Sequence, residues 1–299
     1  MTVSETKNEQ GLKQEQTTNP RGTLPWFLIT PNLLLIGLFM LGPLLLLARI
    51  SLEGYQSGQG IIETWQLSNY SKFLFDPFYR QVLVGTLILG AEVTALCLVL
   101  GYPLAYSLSR ARGLKRAVLY FCILMPLLTS TVVRTFGWMI LLANNGFINK
   151  TLMSLHLIES PVRLMYNVTG VIVALVEVLL PFMVLALDTA LLNIDLSLYE
   201  AARNLGARGP RIFLRITLPL SLPGVVSGCV LVFTGALSAF VTPTLIAGAR
   251  LKVMSTVIYQ QAMALLDWPF GAAIAFVMLV TIAVLLVASL QLSERLRDA

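Results

Sequence analysis

Along this chain, long and predominantly apolar runs alternate with short polar, charge-bearing segments. Six runs are read as spans, at 25–48, 82–109, 117–143, 169–192, 219–247 and 271–292. A helix of roughly 20 apolar residues crosses a hydrocarbon layer about 30 Å thick. Lipid offers the backbone no hydrogen-bond partner, so runs of this kind are expected to be helical. Several are longer than a bilayer requires, which tilt or extension beyond the lipid absorbs. Pro43, Pro103, Pro126, Pro181, Pro219, Pro223 and Pro243 interrupt them. An internal proline removes one backbone bond and tends to bend a helix. Bent helices suit a moving bundle, although proline is also commoner in membrane helices generally.

Composition agrees with this pattern. The chain is 57% hydrophobic and 12% charged, against roughly 45–50% and 25% in soluble domains. So few charges do not cover the surface of a soluble protein of 299 residues. The fold class expected is all-α and integral to a membrane, with six transmembrane helices. Residues 1–23 are polar and rich in Gln, Glu, Thr and Lys. They are expected to form a disordered cytoplasmic tail. They lack the short basic start and apolar core of a signal peptide. Residues 24–299 then form one membrane domain.

The net charge of +6 points to membrane topology rather than to nucleic acid, because the basic residues sit between spans. With the N-terminus inside, the cytoplasmic set is Lys7, Lys13, Arg21, Arg110, Arg112, Lys115, Arg116, Arg203, Arg208, Arg211, Arg215, Arg295 and Arg297. The opposite side carries Arg49, Lys72, Arg80, Lys150, Arg163, Arg250 and Lys252. This bias places both termini in the cytoplasm. Cys97, Cys122 and Cys229 lie in apolar runs and read as packing residues. His156 is the single histidine, so no His-rich metal site is expected. The outward segments hold Trp65, Tyr70, Phe75, Phe78, Tyr79, Tyr166, Tyr259 and Trp268. These read either as an interfacial aromatic belt or as a docking face for an external protein.

The segment between spans 4 and 5 carries the most information. Residues 198–204 are rich in helix formers, and Ser197 is available as an N-cap. Glu200 would fall in the first turn, where its charge suits the helix dipole. Gly206 is suited to a left-handed conformation that ends the turn. Residues 208–216 then make a second short helix, and Pro219 starts the next span. The prediction is a compact cytoplasmic helix-turn-helix.

Its residues are Glu200, Ala201 and Ala202, three residues, Gly206, nine residues, Ile216, one residue, then Leu218 and Pro219. This spacing resembles the EAA loop of ABC importer permeases. Further stretches are similar to the spermidine/putrescine permease branch of these binding-protein-dependent systems. They include Gly101-Tyr102-Pro103-Leu104-Ala105-Tyr106, Arg134-Thr135-Phe136-Gly137-Trp138 and Leu180-Pro181-Phe182-Met183. Leu218-Pro219-Leu220-Ser221-Leu222-Pro223-Gly224, Phe240-Val241-Thr242-Pro243 and Asp267-Trp268-Pro269-Phe270-Gly271 continue them.

The resemblance implies a non-catalytic permease subunit in a bacterial inner membrane. Glu200, Ala201, Ala202, Gly206, Ile216, Leu218 and Pro219 would couple it to an ATPase. It implies a second permease, identical or related, two ATPase subunits that bind ATP and Mg, and an extracytoplasmic solute-binding protein. Asp267 and Trp268 are candidate contacts for that protein. The solute implied is a polyamine, another organic cation or an amino-acid-like compound. No cofactor is expected in this chain.

Glu92, Arg134, Glu177 and Asp188 fall inside spans. A centred charge costs roughly 2.5–3.5 kcal/mol on insertion scales, so such residues face the bundle or water. Glu92, Arg134 and Glu177 are candidates for the solute pathway, with Tyr102 and Phe182 adding cation–π contact. The alternative is a structural pair of Arg134 with Glu92 or Glu177. Asp188, near the cytoplasmic end, is expected to meet the coupling loop or water. Other classes find little support. No lysine follows a glycine, so there is no Walker A loop, and neither His-Glu-x-x-His nor Gly-x-Ser-x-Gly occurs. An ion-gradient-driven carrier, with Glu92 and Glu177 relaying protons, remains the competing reading.

Overall fold

The structure, a computed structural model, describes residues 26–56 and 58–298. The expected tail at 1–23, with Lys7, Lys13 and Arg21, lies outside the described residues. The chain divides into two units, one ending at Leu47 and one starting at Ala48. The first is carried by helix α1 (Trp26–Ser51), with Pro31 and Pro43 inside it.

The second unit takes in the last turn of α1 and then a hairpin of β1 (Gly54–Gln56) and β2 (Gly60–Ile62), a small departure from an all-α fold. Helix α2 (Ser68–Phe75) follows, then α3 (Pro77–Arg110). Asp76 caps α3, its Oδ1 accepting from the Phe78 N–H at 2.8 Å, and Pro77 fits the first helical turn, where no donor is needed. Helices α7 (Val168–Leu192) and α10 (Leu218–Ser238) pack against α3 and against each other. Val93, Cys97, Leu108, Ala174, Met183 and Leu187 fill the core between them. The close approach of α10 to α7 needs Gly224, because a Cβ there would meet the Ala190 Cβ and lie 3.0 Å from the Ala186 carbonyl oxygen. A second cluster joins α2 and α3 to α12 (Met254–Tyr259) and α13 (Trp268–Asp298). Tyr79 is buried there, edge-on to Phe270 at 4.9 Å, so it is a core residue rather than part of an interfacial belt.

Among the described residues, five helices are long and apolar enough to cross a membrane, and a sixth span results if one bent pair is counted together. That pair corrects the continuous helix expected at 117–143. Helix α4 (Gly113–Leu124) runs into a 3-10 turn at Met125–Leu128, Thr129 and Ser130 are extended, and α5 (Thr131–Leu142) then leads to α6 (Phe147–Ser154). The halves are bent by 98°. Pro126 has no N–H to continue the helical ladder. Its carbonyl accepts from both the N–H and the hydroxyl of Thr129, at 3.3 and 2.8 Å, which closes the turn.

The span expected at 219–247 is likewise corrected. Its helix runs over Gly209–Ser238 and stops at the extended Ala239, before a short α11 (Val241–Ile246). Pro243 has no N–H to offer the Ala239 carbonyl, which accepts instead from the Ser255 hydroxyl at 2.7 Å.

Candidate functional site

The segment between α7 and α10 folds as a hook. Helix α8 (Leu196–Asn204) forms its first arm. Its N-cap is Asp195 rather than Ser197: the Asp195 Oδ1 accepts from the Ser197 N–H at 2.9 Å. Glu200 therefore lies beyond the first turn. This bond holds the Asp195 carboxyl below its ordinary value of 3.8. At the other end the Gly206 N–H reaches the Arg203 carbonyl and the Ala207 N–H the Ala202 carbonyl, both at 2.9 Å. These are the two bonds of a Schellman motif. Gly206 takes the left-handed backbone that motif requires, with φ of 77°.

The return arm is α9 (Gly209–Ile212), followed by a π-turn at Phe213–Thr217 that runs directly into α10. Pro219 was expected to begin a new span, but the helix passes through it. The Leu218 N–H donates to the Phe213 carbonyl five residues back, and the widened turn accommodates the proline. Ile216 is half-buried in this turn, while Leu218 and Pro219 are exposed.

The hook is braced at its base. The Thr217 hydroxyl donates to the Tyr199 hydroxyl at 3.3 Å, joining the two arms. Phe213 lies edge-on to Tyr102 and Tyr106 of α3, at 5.5 and 5.9 Å between centroids. The Tyr102 and Ser221 hydroxyls are 2.8 Å apart. Glu200, Ala201 and Gly206 are left exposed, Ala202 is half-buried, and Leu205 at the tip is 88% exposed. Nothing in the sequence marked Phe213, Tyr199 or Ser221 as braces, since each depends on a tertiary contact with a distant helix.

The membrane-embedded charges do not form one constellation. Arg134 and Glu177 pair, with Arg134 Nη1 3.3 Å from Glu177 Oε1 and their side chains 12% and 27% exposed. Trp138 Nε1 donates to the other carboxylate oxygen at 3.4 Å. Of the two partners considered for Arg134, the structure selects Glu177. Glu92 is exposed on α3 and makes no ion pair among the described residues. Phe182 is half-exposed on α7, and Tyr102 bears on the hook rather than on this pair. Asp188 meets neither the hook nor open water, the two settings expected for it. It is buried against α4, where the Tyr120 hydroxyl donates to its Oδ2 and Arg116 Nη2 lies 3.7 Å away. Asp267 caps α13 by accepting from the Phe270 N–H at 3.1 Å, and the adjacent Trp268 is exposed.

A bundle of long apolar helices with a braced polar hook between two of them defines a multi-pass membrane protein. The chain belongs to the family described as binding-protein-dependent transport system inner membrane component, whose model matches residues 98–298. It is 35% identical over 281 residues to the spermidine/putrescine transport system permease protein PotB of Salmonella typhimurium, covering 93% of each chain. The PotB of Escherichia coli is also 35% identical, over 265 residues covering 89% of this chain and 92% of that one. Among solved structures, a chain of a bacterial alginate ABC transporter in complex with alginate pentasaccharide-bound periplasmic protein superposes with a TM-score of 0.75. It is 18% identical and covers 91% of this chain and 94% of that one, so it supports the fold.

Proposed function

We propose that this chain is the permease subunit of an ATP-driven ABC importer for polyamines, spermidine and putrescine, or a related organic cation. The observation that carries this reading is the hook. Glu200, Ala201 and Ala202 sit on a capped helix closed by left-handed Gly206, and the returning arm is braced on α3 through Phe213. An exposed tip on a rigid base suits a part that a partner grips and pushes. The partners are a second permease, identical or related, two ATPase subunits that bind ATP and Mg, and an extracytoplasmic binding protein. Trp268 is a candidate contact for the binding protein, with Asp267 holding the start of α13 beside it. The chain spans a bacterial cytoplasmic membrane with both termini inside, as the distribution of Lys and Arg supports. It binds no cofactor of its own and performs no hydrolysis.

The solute class rests on the similarity to the two PotB proteins and on acidic side chains within the spans. Glu92 has no ion-pair partner among the described residues, and Glu177 keeps part of its surface open beside Arg134. Both attract a cation in transit. ATP favours one arrangement of the bundle and its loss the other, which is a population shift driven through the hook.

The test is uptake of labelled spermidine by proteoliposomes holding this chain, its partner permease, the ATPase and the binding protein. Uptake that requires ATP and the binding protein is expected. Uptake driven by a proton gradient without ATP would make the chain a carrier instead. ATP-dependent uptake of another solute with spermidine excluded would overturn the solute class alone.

A further inference from the structure

A cavity of about 440 Å³ opens where the end of α3 meets the inner face of the hook. Pockets of roughly 300–1,000 Å³ are typical of small-ligand sites. Arg110 lines it from the end of α3, Arg112 from the link to α4, Glu200 and Arg203 from α8, with Tyr106 and Tyr199 among them. Three arginines and one glutamate thus share its lining. Among the described residues, no carboxylate lies within ion-pairing distance of Arg110, Arg112 or Arg203.

Arg110 is already held in place. Its guanidinium carbon sits 4.2 Å from the Tyr106 ring centroid and 5.3 Å from that of Tyr199. Such contacts engage the faces of the guanidinium and leave its in-plane donors for a ligand. The rest of the wall is Ser109 of α3 together with leucine and isoleucine from the end of α7, the turn after it and the start of α8. Leu196, Tyr199, Glu200 and Arg203 follow the spacing of one helix face. Ala201 and the exposed Leu205 lie on another face, so a ligand here leaves the hook's tip free.

We propose that this cavity binds a phosphate group, carried by an anionic phospholipid headgroup or free in solution. The arginine forks match the geometry of phosphate oxygens, and clustered basic residues at a membrane boundary attract anionic headgroups. The apolar wall suits the glycerol end of a lipid. Net positive charge makes the cavity unsuited to a polyamine, which separates it from the solute pathway. Because the cavity spans α3 and α8, its occupant stiffens the joint through which the hook acts. That consequence, though not the binding itself, rests on the function proposed above.

The test uses the assembled transporter, exchanged into nanodiscs of mixed phosphatidylglycerol and phosphatidylcholine and read by native mass spectrometry. Phosphatidylglycerol is expected to be retained over phosphatidylcholine. The Arg110→Gln/Arg112→Gln double variant is expected to retain it at least about tenfold less, given the strength of hydrogen bonds to charged groups. If inorganic phosphate binds the wild type in detergent and the double variant does not, while no lipid is retained, the ligand is free phosphate. Equal lipid retention in both proteins with no phosphate binding overturns the proposal. So does binding by the isolated chain that vanishes once the ATPase is attached, because the arginines would then serve the protein interface. If the double variant fails to assemble, Arg203→Gln alone replaces it, with the same expected direction. ATP hydrolysis coupled to uptake, measured in phosphatidylcholine alone, tests the hook separately.

Discussion

The Arg134 guanidinium is held by a single carboxylate, and Glu177 accepts from both Arg134 and Trp138. Glu177→Gln removes the charge proposed to attract a cation and leaves the guanidinium without its counter-ion. Two losses are expected: slower uptake of the cationic solute, and lower thermal stability on the order of 1.5–3 kcal/mol. The Arg134→Gln/Glu177→Gln double variant separates them. Its melting temperature should recover while uptake stays slow; full recovery of uptake would show that Glu177 acts only through its partner. At Asp195 the bond from the Ser197 N–H favours the ionised carboxylate, so the folded pKa lies below the unfolded one. The cap is therefore fully effective above the ordinary value of 3.8 and is lost as pH falls through the lower folded value. Protection of the Ser197 amide against hydrogen exchange, measured relative to its intrinsic rate at each pH, should fall at that acid end. In Asp195→Asn, which keeps an acceptor but does not titrate, the cap's contribution should not vary with pH.

Among the elements, the hook depends on one backbone conformation. At Gly206 a Cβ would meet nothing within 4 Å, so a side chain is opposed there by its φ of 77° and not by crowding. A left-handed conformation costs an ordinary residue roughly 1–2 kcal/mol and a β-branched one more. Gly206→Val should insert normally but lose ATPase attachment or coupling in a co-purification assay, while Gly206→Asn should keep most of both. Gly224 is the opposite case, since the α7 backbone and Ala190 fill the space a Cβ would need. Gly224→Val should lower the melting temperature of the purified protein by overpacking, with a cost of about 1–3 kcal/mol or more. Gly85→Ala, on α3 with open space around it, is the control expected to cost little.

Across the whole molecule, the spans were legible because helix formation in lipid is a local demand of the backbone, met by any sufficiently long apolar run. Gly206 was legible for a similar reason, since few residues adopt its conformation. The breaks were not. Pro103 and Pro126 look alike in sequence, yet α3 runs through the first while the chain turns at the second, where Thr129 donates to the Pro126 carbonyl. Long-range pairing was less legible still. Both Glu92 and Glu177 were open to Arg134, and only the packing of α5 on α7 selects one. From its depth alone Asp188 is expected to meet the hook or water, whereas it turns to Tyr120 on α4. Tyr102 was read as a pathway aromatic, but its hydroxyl meets Ser221 and its ring meets Phe213. The positions that tie the hook to the bundle are thus the ones a linear pattern does not reveal.

The central claim is that the hook faces the cell interior and is gripped there by the ATPase. A cysteine placed at the exposed tip, Leu205→Cys, and challenged with a membrane-impermeant maleimide tests it most directly. The account predicts labelling in inside-out vesicles, none in intact cells, and protection when the ATPase is bound. Labelling of intact cells, or labelling in inverted vesicles that the ATPase leaves unchanged, would contradict it.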